Sequence, residues 1–379
     1  MPNPRRMQMA TAGSAGGSGE LWMWGANGKG ELGDGSTTTR SSPVQVGSGT
    51  GWKEVIAGRY LTLAIDENNG LWSWGSGSNG TLGHGNTTDL STPTQIGSLT
   101  NWAQVDSSKN NASQSLAVKS DGTLWTWGSN AYGALGLGDT TNRSSPVQVG
   151  SLTNWKWVIS IGYAGMALKT DGTLWSWGHN SSGQLGHGNT TNTSSPVQIG
   201  SATDWVEIGG GKHAALAVNS AGKLYMWGAN NGYTMAGDAN LSTPTQMGSA
   251  TDWKSHSSRD DYSLTRRILQ GVAIAKDDGT AWVWGNGGWG RLGLGNTTSI
   301  TGVPTQLGSL TDWSKMGQGS AWGGALKQDG SIWSWGYGGS GRTGHGNTTA
   351  ISSPVQIGSV TKWTNMSVGY AHGGGIRTA

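Results

Sequence analysis

Three histidines recur in one short turn: His84, His187 and His345 each stand between two glycines. The same position holds Asp34, Leu137 and Leu294 in other copies, and an Asn/Ser/Asp-Thr-Thr-like run follows. A ring of such loops could present polar sites to a metal or a glycan. Leucine in two copies removes the ligand there, and a lone histidine without a carboxylate is a poor metal site. The Asn and Thr side chains are instead expected to bond their own backbone in Asx- and ST-turns. No metal and no cofactor is expected.

A second group of reactive side chains lies in an insertion at 255–267. His256 with Asp260 or Asp261 could exchange protons, but no nucleophile or oxyanion arrangement accompanies them. The insertion interrupts glycine-rich sequence with charge and one tyrosine, and departures from a regular scaffold often carry specificity. Arg259, Tyr262, Arg266 and Arg267 are its expected binding anchors. No Gly-x-Ser-x-Gly elbow, phosphate loop or His-Glu-x-x-His occurs, so no catalytic residue is assigned and no enzyme is expected.

The elements that position these residues follow from composition. The chain has 379 residues with 68 glycines, 23 tryptophans, no phenylalanine and no cysteine. So many indoles need a dry interior, each burying roughly 150–250 Å², and the glycines then mark turns of a compact all-β protein. Net charge is only +3, and the sole adjacent basic pairs are Arg5–Arg6 and Arg266–Arg267. That pattern does not suit phosphate neutralisation, so no nucleic-acid partner is expected. No apolar run reaches the ~20 residues that span a bilayer, so no membrane insertion is expected. The first residues carry no apolar signal core.

The motif Leu-Trp-x-Trp-Gly begins at Leu21, Leu71, Leu124, Leu174, Leu224, Ala281 and Ile332, with Tyr225 for the first tryptophan of the fifth copy. Each copy leads through a glycine-rich turn to a proline (43, 93, 146, 196, 244, 304, 354), then to a tryptophan (52, 102, 155, 205, 253, 313, 363). An Asp-Gly type turn such as Asp171-Gly172 returns the chain to the next copy. Four short strands per repeat fit this spacing. In the last of these hairpins Trp175 and Trp177 share one face, and Leu174 and Ser176 the other. Seven such sheets can cover one another's faces only when arranged radially.

The ends of the chain support a closed ring. It opens on the Trp-x-Trp strand, Glu20 to Gly25, and finishes on Gly374-Gly375-Ile376-Arg377, the strand that normally precedes it. The predicted fold is therefore all-β: a seven-bladed β-propeller of ~50-residue repeats closed by pairing of the terminal strands. Residues 1–19 are read as a Gly/Ala/Ser-rich arm, with Arg5 and Arg6 as attachment residues, and 20–379 as the propeller. Twenty tryptophans occupy repeated positions and read as core. Trp157, Trp289 and Trp322 fall outside the pattern; Trp289 and Trp322 join the expected binding residues.

Gly-x-Asn-x-x-Gly-Gln-Leu-Gly at 178–186, the Pro-x-x-Ile/Val strand and Asp-Gly-x-Leu-Trp-x-Trp-Gly resemble the repeat of the regulator of chromosome condensation family, in the form common in bacterial and phage proteins. The resemblance covers residues 20–379 and implies a seven-bladed propeller. Members of that family include an exchange factor for a small GTPase and ligase modules, so fold alone does not select a role. The expected role is non-enzymatic: a phage virion component (tail, fibre or decoration protein), made in the host cytoplasm and able to serve host attachment. Its expected partners are other virion or scaffold proteins and a host surface glycan, with multiple copies in one assembly strengthening weak contacts. Two alternatives stand beside it: a cytoplasmic adaptor or exchange-factor-like regulator, and a surface lectin.

Overall fold

A computed structural model describes residues 19–109, 113–211, 213–230, 239–253, 272–275 and 278–378. Seven antiparallel sheets follow one another around a ring, and six of them have four described strands. Blade 3 is representative: Trp155–Ser160, Ala164–Lys169, Leu174–Gly178 and Thr193–Gln198 pair in sequence order. Blades 1, 2, 4 and 6 repeat this order over 52–95, 102–148, 205–246 and 313–356. In blade 5 the described strands are Val272–Ala275, Ala281–Gly285 and Ile300–Gln306.

Blade 7 closes the ring as the sequence predicts. Its first two strands, Trp363–Val368 and His372–Arg377, end the chain, while its last two, Glu20–Gly25 and Arg40–Gln45, begin it. The register runs from Glu20 opposite Arg377 to Gly25 opposite His372.

The core lies between blades. Ile159, Met166, Leu168 and Leu174 of blade 3 pack on Trp205, Ile208, Ala215 and Trp227 of blade 4. The second tryptophan of each motif is the keystone, fully buried at Trp24, Trp74, Trp127, Trp177, Trp227, Trp284 and Trp335. Its indole N–H donates to a loop carbonyl of the preceding blade: Trp74 to Glu31, Trp127 to Thr81, Trp177 to Ala134, Trp227 to Gln184, Trp335 to Arg291 and Trp24 to Arg342, at 2.8–3.0 Å. Each bond satisfies a buried donor that would otherwise cost about 1–3 kcal/mol. The loop glycine beside it must stay small: a Cβ on Gly186 would meet Trp227 Nε1 at 2.8 Å, and its φ of +76° is left-handed.

The sequence pairing of Trp175 with Trp177 holds, since both join the contact with blade 2. Burial separates them: Trp177 is fully enclosed, whereas Trp175 is half-buried. Among the described residues no helix is long and apolar enough to cross a membrane.

Candidate docking surface

The turns joining first to second strands and the loops joining third to fourth strands share one face of the ring. There, Tyr60 of blade 1 follows Gly58 and Arg59, and Ser76 N–H donates to its carbonyl at 2.7 Å. In blade 7 Tyr370 stands at the place of Arg59, and its N–H donates to Gly58 O at 3.0 Å, as Arg59 N–H does to Ser108 O. The two phenol rings lie 6.4 Å apart, with the Arg59 guanidinium 4.6 Å from one and 5.2 Å from the other. The adjoining hollow of about 560 Å³ is lined by Lys29, Arg59, Tyr60, Asn79, Asp89 and Ser108 among others.

The chain of contacts continues into blades 6 and 5. Ser320 Oγ donates to Tyr370 O at 2.8 Å, and Arg342 Nη1 donates to Ser320 Oγ at 3.0 Å. The Arg342 guanidinium lies 4.8 Å from the Tyr337 ring, which in turn lies 4.8 Å from Trp289. Arg291 Nη1 donates to Ser320 O at 3.3 Å. Burial draws the Arg291 and Arg342 guanidinium pKa values down from their ordinary level, but guanidinium starts so high that both keep their charge. Four blades thus share a continuous arc of rings joined by guanidinium groups, with Arg59 partly exposed and Arg291 and Arg342 buried beneath the face.

Two of the exposed rings stand in a costly backbone state. Trp289 has φ of 64° and Tyr132 has φ of 62°, at the tips of equivalent loops where Asn79 and Ser340 are also left-handed. Left-handed backbone disfavours a Cβ by roughly 1–2 kcal/mol. Trp289 is nevertheless 58% exposed and Tyr132 49%. The left-handed turn is common to these four loops, but placing a large exposed ring in it does not serve folding, and such outliers gather at binding sites. On the other side of the face Tyr132 meets His179 at 4.5 Å and Tyr163 at 5.6 Å, and His179 meets His213 at 5.9 Å.

The recurrent histidines do different work. His84, His187 and His345 place Nε2 2.9 Å from Ser73, Ser176 and Ser334 Oγ. Each serine already donates its hydroxyl proton to a backbone carbonyl, of Leu82, Leu185 or Thr343. The imidazole must therefore be the donor, and no base activates the buried serine. Burial lowers all three histidine pKa values, favouring the neutral ring. The Asx-turns expected from the sequence are present: Asn86, Asn189 and Asn347 Oδ1 accept from Thr88, Thr191 and Thr349 N–H at 2.9 Å.

The regulator of chromosome condensation (RCC1) repeat matches six stretches, 18–65, 68–111, 121–165, 171–218, 278–321 and 329–375. The chain belongs to this repeat family. In shape this RCC1-repeat propeller is similar to human WBSCR16, with a TM-score of 0.81, 20% identity and coverage of 95% of this chain and 99% of that one. It is likewise similar to Prp20p from Saccharomyces cerevisiae, with a TM-score of 0.79, 20% identity and coverage of 95% and 92%. Over 73 residues it is 40% identical to the human E3 ubiquitin-protein ligase HERC2, covering 19% of this chain and 2% of that protein. Over 63 residues it is 40% identical to the Arabidopsis thaliana ultraviolet-B receptor UVR8, covering 14% of each. The chain therefore spans only a small part of these curated relatives.

The site residues expected from the RCC1-repeat sequence divide three ways. Trp289 is exposed and belongs to the arc. Trp322 is a correction: it is fully buried, donates to Gly369 O at 3.2 Å and packs with Trp24 and Val368. It fits because Gly373 of blade 7 leaves room, where a Cβ would meet the ring at 2.7 Å. Arg259, Tyr262, Arg266 and Arg267, like Arg5 and Arg6, lie outside the described residues. Trp157 is half-buried beneath the Lys156 ammonium at 4.7 Å. Sequence reasoning missed Tyr60, Tyr337, Tyr370, Arg59 and Arg342. A signal was there: the position just before the second strand carries Tyr60, Tyr163 and His213 in three blades.

Proposed function

We propose that this propeller is a non-catalytic docking module that holds a partner protein against its ring-and-guanidinium face, in the manner of an adaptor or exchange-factor-like regulator. One observation carries the reading: Trp289, left-handed and 58% exposed, leads a continuous arc through Tyr337, Arg342, Tyr370, Arg59 and Tyr60. Aromatic rings and arginine are the side chains that most often dominate protein interfaces. Relatives add support, since one solved structure pairs Kap60 with yeast RCC1 (Prp20), and another concerns binding of Prp20p to Gsp1p and histones. Of the readings weighed from the sequence, these relatives favour the regulator and lend nothing to the virion component or the lectin. A closed ring offers no long free edge for strand addition, so the partner must use a face or loops.

Photo-crosslinking in the native cell tests this. A crosslinking residue at Tyr337 should give a discrete adduct with one protein, and the same group at Leu152, exposed at another turn, should not. The adduct should disappear with Trp289→Ser/Tyr370→Ser. Equal adducts from both positions, or an adduct indifferent to those substitutions, would overturn the proposal.

A further inference from the structure

Away from that face, at the turns joining second to third strands, most blades hold a cation between two aromatic rings. The tryptophan opening the first strand faces the last residue of the second strand: Trp102 opposite Lys119, Trp155 opposite Lys169, Trp313 opposite Lys327 and Trp363 opposite Arg377. The first aromatic of the Trp-x-Trp motif completes the cage. Lys119 Nζ lies 4.7 Å from the Trp102 ring and 3.7 Å from Trp125; Lys169 Nζ lies 4.7 Å from Trp155 and 3.9 Å from Trp175.

Blade 1 keeps the rings and replaces the cation with a carboxylate. Trp52 and Trp72 stand 5.7 Å apart at 75°, against 6.1 Å and 75° for Trp102 and Trp125. Asp66 takes the place of lysine opposite Trp52. Its carboxylate accepts from Trp72 Nε1 at 2.8 Å, a bond that Thr123 supplies to Trp125 in blade 2. Gly70 stands where that threonine would be. Before the tryptophan, Gly51 replaces the Asn101, Asn154, Asp204 or Asp312 of other blades, and the Glu67 side chain lies over it.

These changes open the cage. Trp102, Trp155, Trp205, Trp313 and Trp363 are all buried, yet Trp52 is only half-buried. Blade 4, with Asn219 for lysine, stays shut because Asn219 bonds Asp204 at 3.0 Å and Trp205 is 7% exposed. Lys53, the neighbouring cation, is bonded to Asn69 Oδ1 at 3.0 Å.

We infer that the Trp52–Trp72 notch, with Asp66 and Glu67 at its rim, receives a lysine side chain from a partner protein. The rings present the π-faces that attract an ammonium. The carboxylates reverse the local charge relative to the sister cages. The partner's ammonium takes the place that Lys119 or Lys169 fills from within.

Indole ¹⁵N–¹H spectra of the full chain test the site, with Nα-acetyl-lysine amide, its trimethyllysine form and neutral Nα-acetyl-norleucine amide as probes. The lysine probes should shift the Trp52 and Trp72 signals saturably, in the roughly millimolar range of a single side chain. Norleucine should leave them in place, and Trp102 and Trp125 should not respond. Asp66→Lys/Gly70→Thr, which installs the blade 2 pattern, should weaken binding about tenfold or more. Equal response to norleucine, or no effect of that variant, would overturn the inference. A response appearing only in Arg5→Ala/Arg6→Ala would assign the notch to the chain's own arm and equally overturn it.

Discussion

Glu20 and Arg377 stand 357 positions apart and meet at 2.9 Å, Nε donating to Oε2, where the first strand of the chain pairs with the last. Arg377 also lies over the Trp22 ring at 3.9 Å, and Trp22 Nε1 donates to the same carboxylate at 3.0 Å. The ring is thus closed by a backbone ladder with a charged clasp at one end. The ladder does most of the work, because a half-exposed ion pair is worth only about 0–1 kcal/mol.

Removing residues 370–379 should therefore lower the melting temperature sharply, while Glu20→Gln should cost no more than about 1 kcal/mol near neutral pH. The Arg377 and Trp22 hydrogen bonds hold the Glu20 pKa below its ordinary value of 4.5. A depressed carboxylate stabilises above its unfolded pKa, and the contribution disappears as pH falls through the folded pKa. Denaturant melts of wild type and Glu20→Gln should converge below about pH 4. A constant gap at all pH values would show that the charge is irrelevant.

Burial should rank the tryptophans. Trp177→Ala and Trp322→Ala each empty an inter-blade site and should cost roughly 3–5 kcal/mol. Trp175→Ala should cost less, because its ring is half exposed. Trp289→Gly should instead stabilise by about 1 kcal/mol, by relieving a left-handed Cβ, while abolishing the Tyr337 crosslink. Chemical denaturation of the four variants checks this, and a loss at Trp289 equal to that at Trp177 would remove its role as a surface residue.

His372 supplies a pH signature. It is wholly buried, and its Nε2 lies 3.1 Å from Thr62 Oγ1. Thr62 gives its own proton to Glu31 O at 2.7 Å, so Nε2–H is the donor to the hydroxyl. Burial pushes the histidine pKa down from 6.5 to about 3. Unfolded chains bind that proton near pH 6.5 and the folded chain refuses it, so stability is complete above 6.5 and falls as pH drops towards 3. The slope contributed is up to about 1.4 kcal/mol per pH unit. His372→Gln, copying Gln114 at the matching place in blade 2, should flatten the profile between pH 6.5 and 5. An unchanged slope would mean that another group governs it.

The architecture was legible in the sequence because it is a matter of period and order. Seven Trp-x-Trp motifs at near-constant spacing require seven like sheets, and a chain opening on the third strand of a blade and ending on the second can complete that blade only by joining its ends. The alternation that sets Trp175 and Trp177 on one face is likewise local, since a strand turns successive side chains to opposite sides. Exposure is decided between blades, and no single repeat contains that information. Trp322 breaks the repeat yet is buried, because Gly373 in the adjacent blade vacates the space its ring fills. Trp289 breaks it too and stays in solvent, because its loop tip rises above the sheets in a left-handed turn. The arc from Tyr60 to Trp289 draws on four blades, and its members become neighbours only when the ring closes. The notch at Trp52 is defined by what its sister blades contain and it lacks: an internal cation whose absence matters only once the two rings stand 5.7 Å apart.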